Sequence, residues 1–578
     1  SEGGTYPGAA APWGYLQLTP ETRVSGANGY DYGDSTIYYF SCLHHNSGFP
    51  GGSAGSLLVV PVDSREDFHT GQYKRPFSHQ DEVARPGYYS VLFRDNDTRV
   101  EATATTRAGM FRFTFPAGVK PQLFINENSS AYTALRFSEP YTSKDSVKGG
   151  YLLSFAPASS GAKVILLRIS ASRVSKASAE RNIAAELNKG FDQLRENTRA
   201  AWTKALSVID IADSSETNKT IFYTALYHAC LLPWVISDVD GHYRGADGKV
   251  HTVTNRNAYG GFSPWDTFRS LHPLLSLLYP DKQKEMMLSM LDIYQQTGHL
   301  PIESMTGNHA VPIIVDSYLK GITGINAALA YTAMKKSIAD TPYLQNDMPA
   351  FRQQGYIPFS YPESVTRTVE YAYDDWALAQ FAGKVAAQPE DQRRFTQSSY
   401  AYRQLFHPAE MFLLPREGNT FKLQPGTTGY KEGDQWIYSY FVPHHEQDLM
   451  NLMGGRKRFI ERLNEALTSQ QIIFDNETVF HIPWLFNAAG APAKTQQWIN
   501  EILQTRFAAT PGGLPGNDDL GSMSSWYIFS AMGIYPACPG RPEYTIGTPL
   551  FSSLRLRLQN GRTLEIKRKG AYPYIKSM

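Results

Sequence analysis

Several short stretches of this chain set carboxylates beside aromatic rings, amides and glycines, side chains able to move protons, bind cations and stack on ligand rings. Tyr430-Lys431-Glu432-Gly433-Asp434-Gln435-Trp436 opens a helix. A glutamate near a helix start stays ionised in the field of the dipole. Glu432 therefore serves as a general acid only if burial or a neighbouring carboxylate raises its pKa. It reads equally as a helix cap. Gly512-Gly513-Leu514-Pro515-Gly516-Asn517-Asp518-Asp519-Leu520-Gly521 is a glycine-rich loop ahead of the last helix. Its paired aspartates suit a cation, a water to be deprotonated, or the helix start. Capping accounts for one of them, and the surrounding glycines let backbone approach a ligand closely.

Asp475-Asn476-Glu477 leads into a segment carrying His481, Pro483 and Trp484. The amide of Asn476 and the carboxylate of Glu477 are hard oxygen ligands of the kind calcium accepts, with capping as the alternative. In Pro264-Trp265-Asp266-Thr267-Phe268-Arg269 an indole stands beside an acid and a guanidinium. An exposed ring would stack on a pyranose while the charged groups bond its hydroxyls. Tyr371-Ala372-Tyr373-Asp374-Asp375-Trp376 repeats that composition. Trp265, Asp266, Asp374, Asp375 and His481 are thus the substrate-binding candidates, and ordinary packing with ion pairs is the competing reading. Trp436, Trp484 and Trp526 read as core.

Other chemistries find little support. There is no P-loop, no dinucleotide glycine fingerprint, no HExxH and no GxSxG elbow. The pairs His44-His45 and His444-His445 read as hydrogen-bonded histidines rather than zinc ligands. Cys42, Cys230 and Cys538 lack metal-ligand spacing and an even count, so they read as small buried residues. Lysine plus arginine total 55 against 54 aspartate plus glutamate, which argues against a nucleic-acid partner. No apolar run is long enough to span a bilayer. The start at Ser1 is one that removal of an export signal would leave.

These residues need a frame, and 578 residues are too many for one core. Residues 1–173 read as an antiparallel β-sandwich. Phe111, Phe113 and Phe115 alternate with polar residues, and Asp95-Asn96-Asp97 is one of many turns between short strands. Residues 178–206 read as one amphipathic helix with Ser178 as its cap, within a helical linker over 174–210. Residues 211–578 then hold about twelve helical stretches, including single helices over 430–453 and 477–490. Six hairpins of this kind close into an (α/α)6 toroid whose interhelix loops open on a central funnel. The segment after Pro536 is stranded again, returning to the sandwich or capping the ring.

In order, the motifs resemble the calcium-dependent exo-α-mannosidases of glycoside hydrolase family 92. They run from Thr5-Tyr6-Pro7-Gly8-Ala9 and Leu18-Thr19-Pro20 through Tyr32-Gly33-Asp34-Ser35-Thr36 and Trp265-Asp266-Thr267 to Gly307-Asn308-His309-Ala310-Val311-Pro312. Glu370-Tyr371-Ala372-Tyr373-Asp374-Asp375-Trp376, Glu432-Gly433, Phe441-Val442-Pro443-His444, Gly516-Asn517-Asp518-Asp519, Met523-Ser524, Trp526-Tyr527 and Tyr535-Pro536 complete the set. The resemblance implies a sandwich joined to an (α/α)6 toroid, with the active site between them. It implies Glu432 as general acid, one of Asp518 and Asp519 as general base, and Ca2+ at Asn476 and Glu477 holding the mannose O2 and O3. Inversion of this kind needs the two carboxyls roughly 6.5–9.5 Å apart.

The implied substrate is a mannose-containing oligosaccharide or glycoprotein glycan, and the implied location is secreted, periplasmic or cell-surface. Phe474-Asp475 stands where linkage preference varies and matches no known preference. The loop Asn46-Ser47-Gly48-Phe49-Pro50-Gly51-Gly52 is expected at the leaving-group side, and further strand sequence is expected after Tyr574-Ile575-Lys576. Another inverting hydrolase of this architecture, a phosphorylase, or a non-catalytic glycan-binding homologue are the alternatives. A complete carboxylate set argues against the last two. Neither linkage nor oligomeric state is legible.

Overall fold

The computed structural model describes residues 3–23, 29–48, 55–62, 73–302, 305–339 and 346–570. The N-terminal domain is a sandwich of two antiparallel sheets, as its alternation requires. One has seven strands, in the order Ala9–Ala10, Gln17–Glu21, Tyr39–Leu43, Ser56–Pro61, Gln122–Asn126, Gly150–Ser154 and Ser143–Val147. The other has six, centred on Ala108–Phe115 between Lys163–Ser172 and Arg99–Ala104. Phe111 pairs with Leu167 and Ala102, and Phe113 with Ile165 and Val100, so one face of these strands fills the core.

The long helix expected over 178–206 is two helices, Lys176–Glu186 and Phe191–Leu206. Lys189-Gly190 lies in the break, and the cap is Ser175, whose hydroxyl accepts from the Ser178 amide. This linker is not free-standing. Ala179, Ile183, Leu187, Phe191 and Leu194 pack on Ala108, Met110 and Ala134 of the six-stranded sheet.

Beyond it the chain forms the helical ring. Some of its helices are buried almost throughout, as in Ser364–Lys384 and Ser522–Met532, whereas Pro389–Ser398 buries only Phe395. The last helix, Ser522–Met532, packs on the first, Glu216–His228, and closes the ring. The C-terminal strands Ser553–Arg557 and Thr563–Lys567 do not join either sheet of the sandwich. They pair with Ile209–Ala212, the strand that leads into the ring.

Two expected helices are broken where proline removes a donor and blocks the preceding turn. Residues 430–453 hold Gln435–Tyr438 and Glu446–Leu452, with Pro443 between them. Residues 477–490 are short turns over Glu477–Val479, Ile482–Trp484 and Leu485–Ala488. These breaks leave irregular backbone where the site is built. The three cysteines are free and buried. Among the described residues no helix is long and apolar enough to cross a membrane. Residues 49–52 and 574–576 lie outside the described residues.

Candidate active site

The site begins with a division of labour between adjacent residues. Asp434 caps Gln435–Tyr438, its Oδ1 accepting from the amides of Trp436 at 2.8 Å and Ile437 at 3.1 Å. Capping is therefore done two residues past Glu432, which is exposed and held in the left-handed region at φ 48°. A non-glycine residue in that region costs energy that surrounding structure must sustain, as functional sites often do. The Asn476 amide Nδ2 donates to Glu432 Oε2 at 3.1 Å. Asn476 is also the cap of Glu477–Val479, its Oδ1 accepting from the Glu477 amide at 2.6 Å.

Asp518 and Asp519 divide in the same way. Asp518 Oδ1 accepts from the Ser524 amide at 2.9 Å and hydroxyl at 2.6 Å, satisfying the start of Ser522–Met532. Asp519, at φ 41°, meets Asp266 and Glu477 instead. Oxygen atoms of Asp266, Glu477 and Asp519 all lie within 4.8 Å of one another, and the three residues are buried. Burial pushes all three carboxyls up, and for Asp519 the charges of Glu477 and Asp266 add to it. Glu432 adds to the upward push on all three acids, and its bond to Asn476, the residue before Glu477, places it beside the cluster.

Both Glu477 carboxylate oxygens are buried without a hydrogen-bond donor. Such an arrangement is costly unless a shared proton or a cation relieves it. Three oxygen donors of this hardness fit a divalent cation such as calcium. Among the described residues this is the one such group.

The sandwich fixes the loop that carries the aspartates. The amides of Asp518, Asp519 and Leu520 donate to the carbonyls of Gly3 (3.1 Å), Gly48 (3.1 Å) and Ser47 (2.9 Å), and the Gly48 amide donates to Gly4 O at 2.7 Å. Gly48 sits at φ +83°, and a Cβ there would fall 2.4 Å from the Asp519 nitrogen. On the other side, a Cβ on Gly516 would fall 1.8 Å from the Asp475 carbonyl oxygen. Glycine is what lets the aspartate loop touch both the sandwich and the Asn476 segment.

The structure sorts the remaining candidates. Asp266 joins the acid cluster, and the Ser263 hydroxyl donates to it. Trp265 is not an exposed platform: it is 2% accessible, and its indole N–H donates to Glu370 Oε1 at 2.8 Å. Asp374 accepts from the Asn308 amide at 2.7 Å and pairs with His309 at 2.9 Å. Asp375 pairs with Arg352 and accepts from Ser398. Successive residues on a helix point about 100° apart, and the bonds of both aspartates go into the packing of the ring rather than to the acid cluster. His481 is buried with Nε2 at 2.9 Å from the Tyr440 carbonyl, and burial lowers its pKa to about 3, so it is a neutral structural donor.

The histidine pairs split as expected, His44 to Glu21 and His45 to the Tyr15 carbonyl, His444 to the Ser399 carbonyl and His445 to its hydroxyl. The Arg269 guanidinium, read in the sequence as a group for sugar hydroxyls, instead donates to the Trp265 carbonyl, and Glu370 was not singled out by residue type. Arg269 lies inside the Trp265 motif and Glu370 at the head of the Tyr371 motif, but no local spacing marks a buried partner contributed by another helix.

Acids buried where a sandwich meets a helical ring are the layout of a glycoside hydrolase. Residues 178–578 match the glycosyl hydrolase family 92 catalytic domain and residues 1–152 the glycosyl hydrolase family 92 N-terminal domain. The chain belongs to glycosyl hydrolase family 92 and is a glycosidase of that family. It is similar to a family GH92 alpha-mannosidase from Bacteroides thetaiotaomicron, with TM-score 0.93 and 28% identity over 99% of this chain and 88% of that one. That mannosidase has also been solved in complex with mannoimidazole. A family GH92 inverting mannosidase from the same species matches with TM-score 0.91 and 26% identity over 99% of this chain and 89% of that one. An uncharacterized secreted glycosidase from Arthroderma benhamiae is 24% identical over 96% of this chain and 84% of its own length.

Proposed function

We propose that the protein is an exo-acting, exported α-mannosidase that hydrolyses terminal α-mannosidic bonds of mannose-containing glycans with inversion, assisted by Ca2+. The observation that carries this reading is the convergence of buried Asp266, Glu477 and Asp519 within 4.8 Å, with Glu432 bonded to Asn476, the residue before Glu477. The substrate class follows the mannosidases that the chain resembles, and export follows the relative described as secreted.

Glu432, held by the Asn476 amide, is the general acid that protonates the departing glycosidic oxygen. Asp519, the member of its pair that faces the cluster, is the base that takes a proton from the attacking water. Separate acid and base on opposite sides of the sugar give a single displacement and inversion. Asp266 and Glu477, with Asp519 in reach, would hold the cation, which when bound supplies hard coordination for sugar hydroxyls and positive charge. That charge would bear on Asp519 directly, because burial and then the neighbouring acids push its carboxyl up, and a cation favours the ionised form a base needs.

The test is release of mannose from 4-nitrophenyl α-mannoside and from α-1,2, α-1,3, α-1,4 and α-1,6 mannobioses, with calcium and with EDTA. We expect release from at least one substrate, β-mannose appearing first by proton NMR, and loss of activity on chelation. Glu432→Gln should lower turnover on the disaccharides by at least about 100-fold. No release from any substrate with calcium present would remove the mannosidase reading, and activity indifferent to EDTA would remove the metal.

A further inference from the structure

We infer that Glu370 is a positioning residue for Asp266, acting through the Trp265 indole; the inference rests on the cation site proposed above. Asp266 lies on Pro264–Thr267, a single turn of four residues. One turn does not hold its own shape, since the first hydrogen bond of a helix fixes several dihedrals for little return. The Ser263 hydroxyl that bonds Asp266 belongs to the same short segment and moves with it. Something outside must fix this turn if Asp266 is to stay within 4.8 Å of Glu477 and Asp519.

That anchor is Glu370. It sits within the 21-residue helix Ser364–Lys384 and is wholly buried. Its Oε1 accepts from the Trp265 indole at 2.8 Å, one residue from Asp266. Arg269 clamps the other side of the turn, with Nε donating to the Trp265 carbonyl at 3.1 Å and a guanidinium nitrogen 3.5 Å from Glu370 Oε1. His309 stands behind Glu370. His309 Nε2 lies 3.6 Å from its Oε2, and His309 Nδ1 lies 2.9 Å from Asp374 Oδ1. Ionisable groups thus stand in line from Asp374 through His309 to Glu370, whose Oε1 bonds the indole beside Asp266. Groups one step behind a metal ligand commonly set its orientation and the affinity of the site.

The experiment is calorimetric titration of Ca2+ into the full chain as wild type, Trp265→Phe, Glu370→Ala and the double variant. Trp265→Phe removes one N–H and keeps a ring. We expect it to weaken calcium about 10-fold, and Glu370→Ala by about 10- to 100-fold. The double variant should bind no more weakly than Glu370→Ala, because both changes break one bond. Excess calcium should restore the turnover that Trp265→Phe loses at limiting calcium, which a general packing defect would not allow. Fold-losses that multiply in the double variant would overturn the inference, since Glu370 would then act by charge and not through the indole. If Glu370→Ala does not melt cooperatively, Trp265→Phe decides alone, and a calcium affinity within twofold of wild type overturns the inference. Absence of calcium binding by the wild type is a separate result, which removes the cation site and this inference with it.

Discussion

Asp518 and Asp519 are identical in type and adjacent in sequence, yet the backbone turn between them separates support from chemistry. Asp518 Oδ1 takes two donors from Ser524, while Asp519 meets two other acids. Truncating Asp518 to Ala leaves those donors unsatisfied in a buried place, at a cost of about 1–3 kcal/mol. Asp519→Asn instead removes one of three crowded carboxyls. The expected pattern is a lower urea midpoint for Asp518→Ala, and for Asp519→Asn a midpoint in EDTA no lower than wild type, with turnover in calcium down at least about 100-fold. Equal loss of activity and stability in both would mean that the two aspartates are not so divided.

His309 gives the same scale a pH signature. Burial alone would lower its pKa, but the carboxylates of Asp374 and Glu370 outweigh burial and raise it to about 9. A folded pKa above the unfolded one gives stability that is complete below about pH 6.5 and lost as pH rises through about 9. The difference is on the order of 3 kcal/mol. Urea midpoints should therefore fall more steeply between pH 6.5 and 9 for wild type than for His309→Gln. Parallel profiles would show that His309 is not the titrating group.

Among the elements, the loop over 512–521 depends most on its surroundings, because three of its amides are bonded to the sandwich. Gly48→Ala would add a Cβ 2.4 Å from the Asp519 nitrogen at a backbone angle that favours glycine. We expect it to lower turnover more than 10-fold while the two domains keep their far-ultraviolet circular dichroism. Wild-type activity would show that the loop does not need this contact. Legibility follows the same line between local and distant causes. The alternation of Phe111, Phe113 and Phe115 is a local signal, and the sandwich follows from it. The helix break at Lys189-Gly190 and those around Pro443 and Pro483 also have local causes, but apolar residues on both sides carried one helical period across them. The roles of Asp434 as a cap and of Asp518 as an acceptor for Ser524 were open in the sequence because helix starts and catalysis draw on the same residue types. Glu370 was illegible as a site residue because its partner Trp265 is 105 residues away in the chain.

On the scale of the whole molecule, sandwich and ring form a single site, since neither holds the acid cluster in place alone. The ring supplies Asp266, Glu477 and Asp519 from three segments far apart in sequence, and the sandwich supplies the carbonyls that seat Asp519. A cation bridging three such segments binds the folded chain and not the unfolded one, where the acids are far apart. Binding of that kind stabilises by mass action, about 2.7 kcal/mol at a hundred times the dissociation constant. The melting temperature should therefore rise steadily with the logarithm of calcium concentration above that constant and fall on adding EDTA. Glu477→Gln removes a charge and one oxygen ligand from the middle of the cluster, and should flatten the rise while raising the melting point in EDTA by relieving repulsion. A wild-type melting point unmoved by calcium, in a protein that still releases mannose, would assign the three acids to a shared-proton network instead. In that case Asp519 would need Arg269, whose charge already acts on Asp266 and Glu477, as its remaining source of compensation.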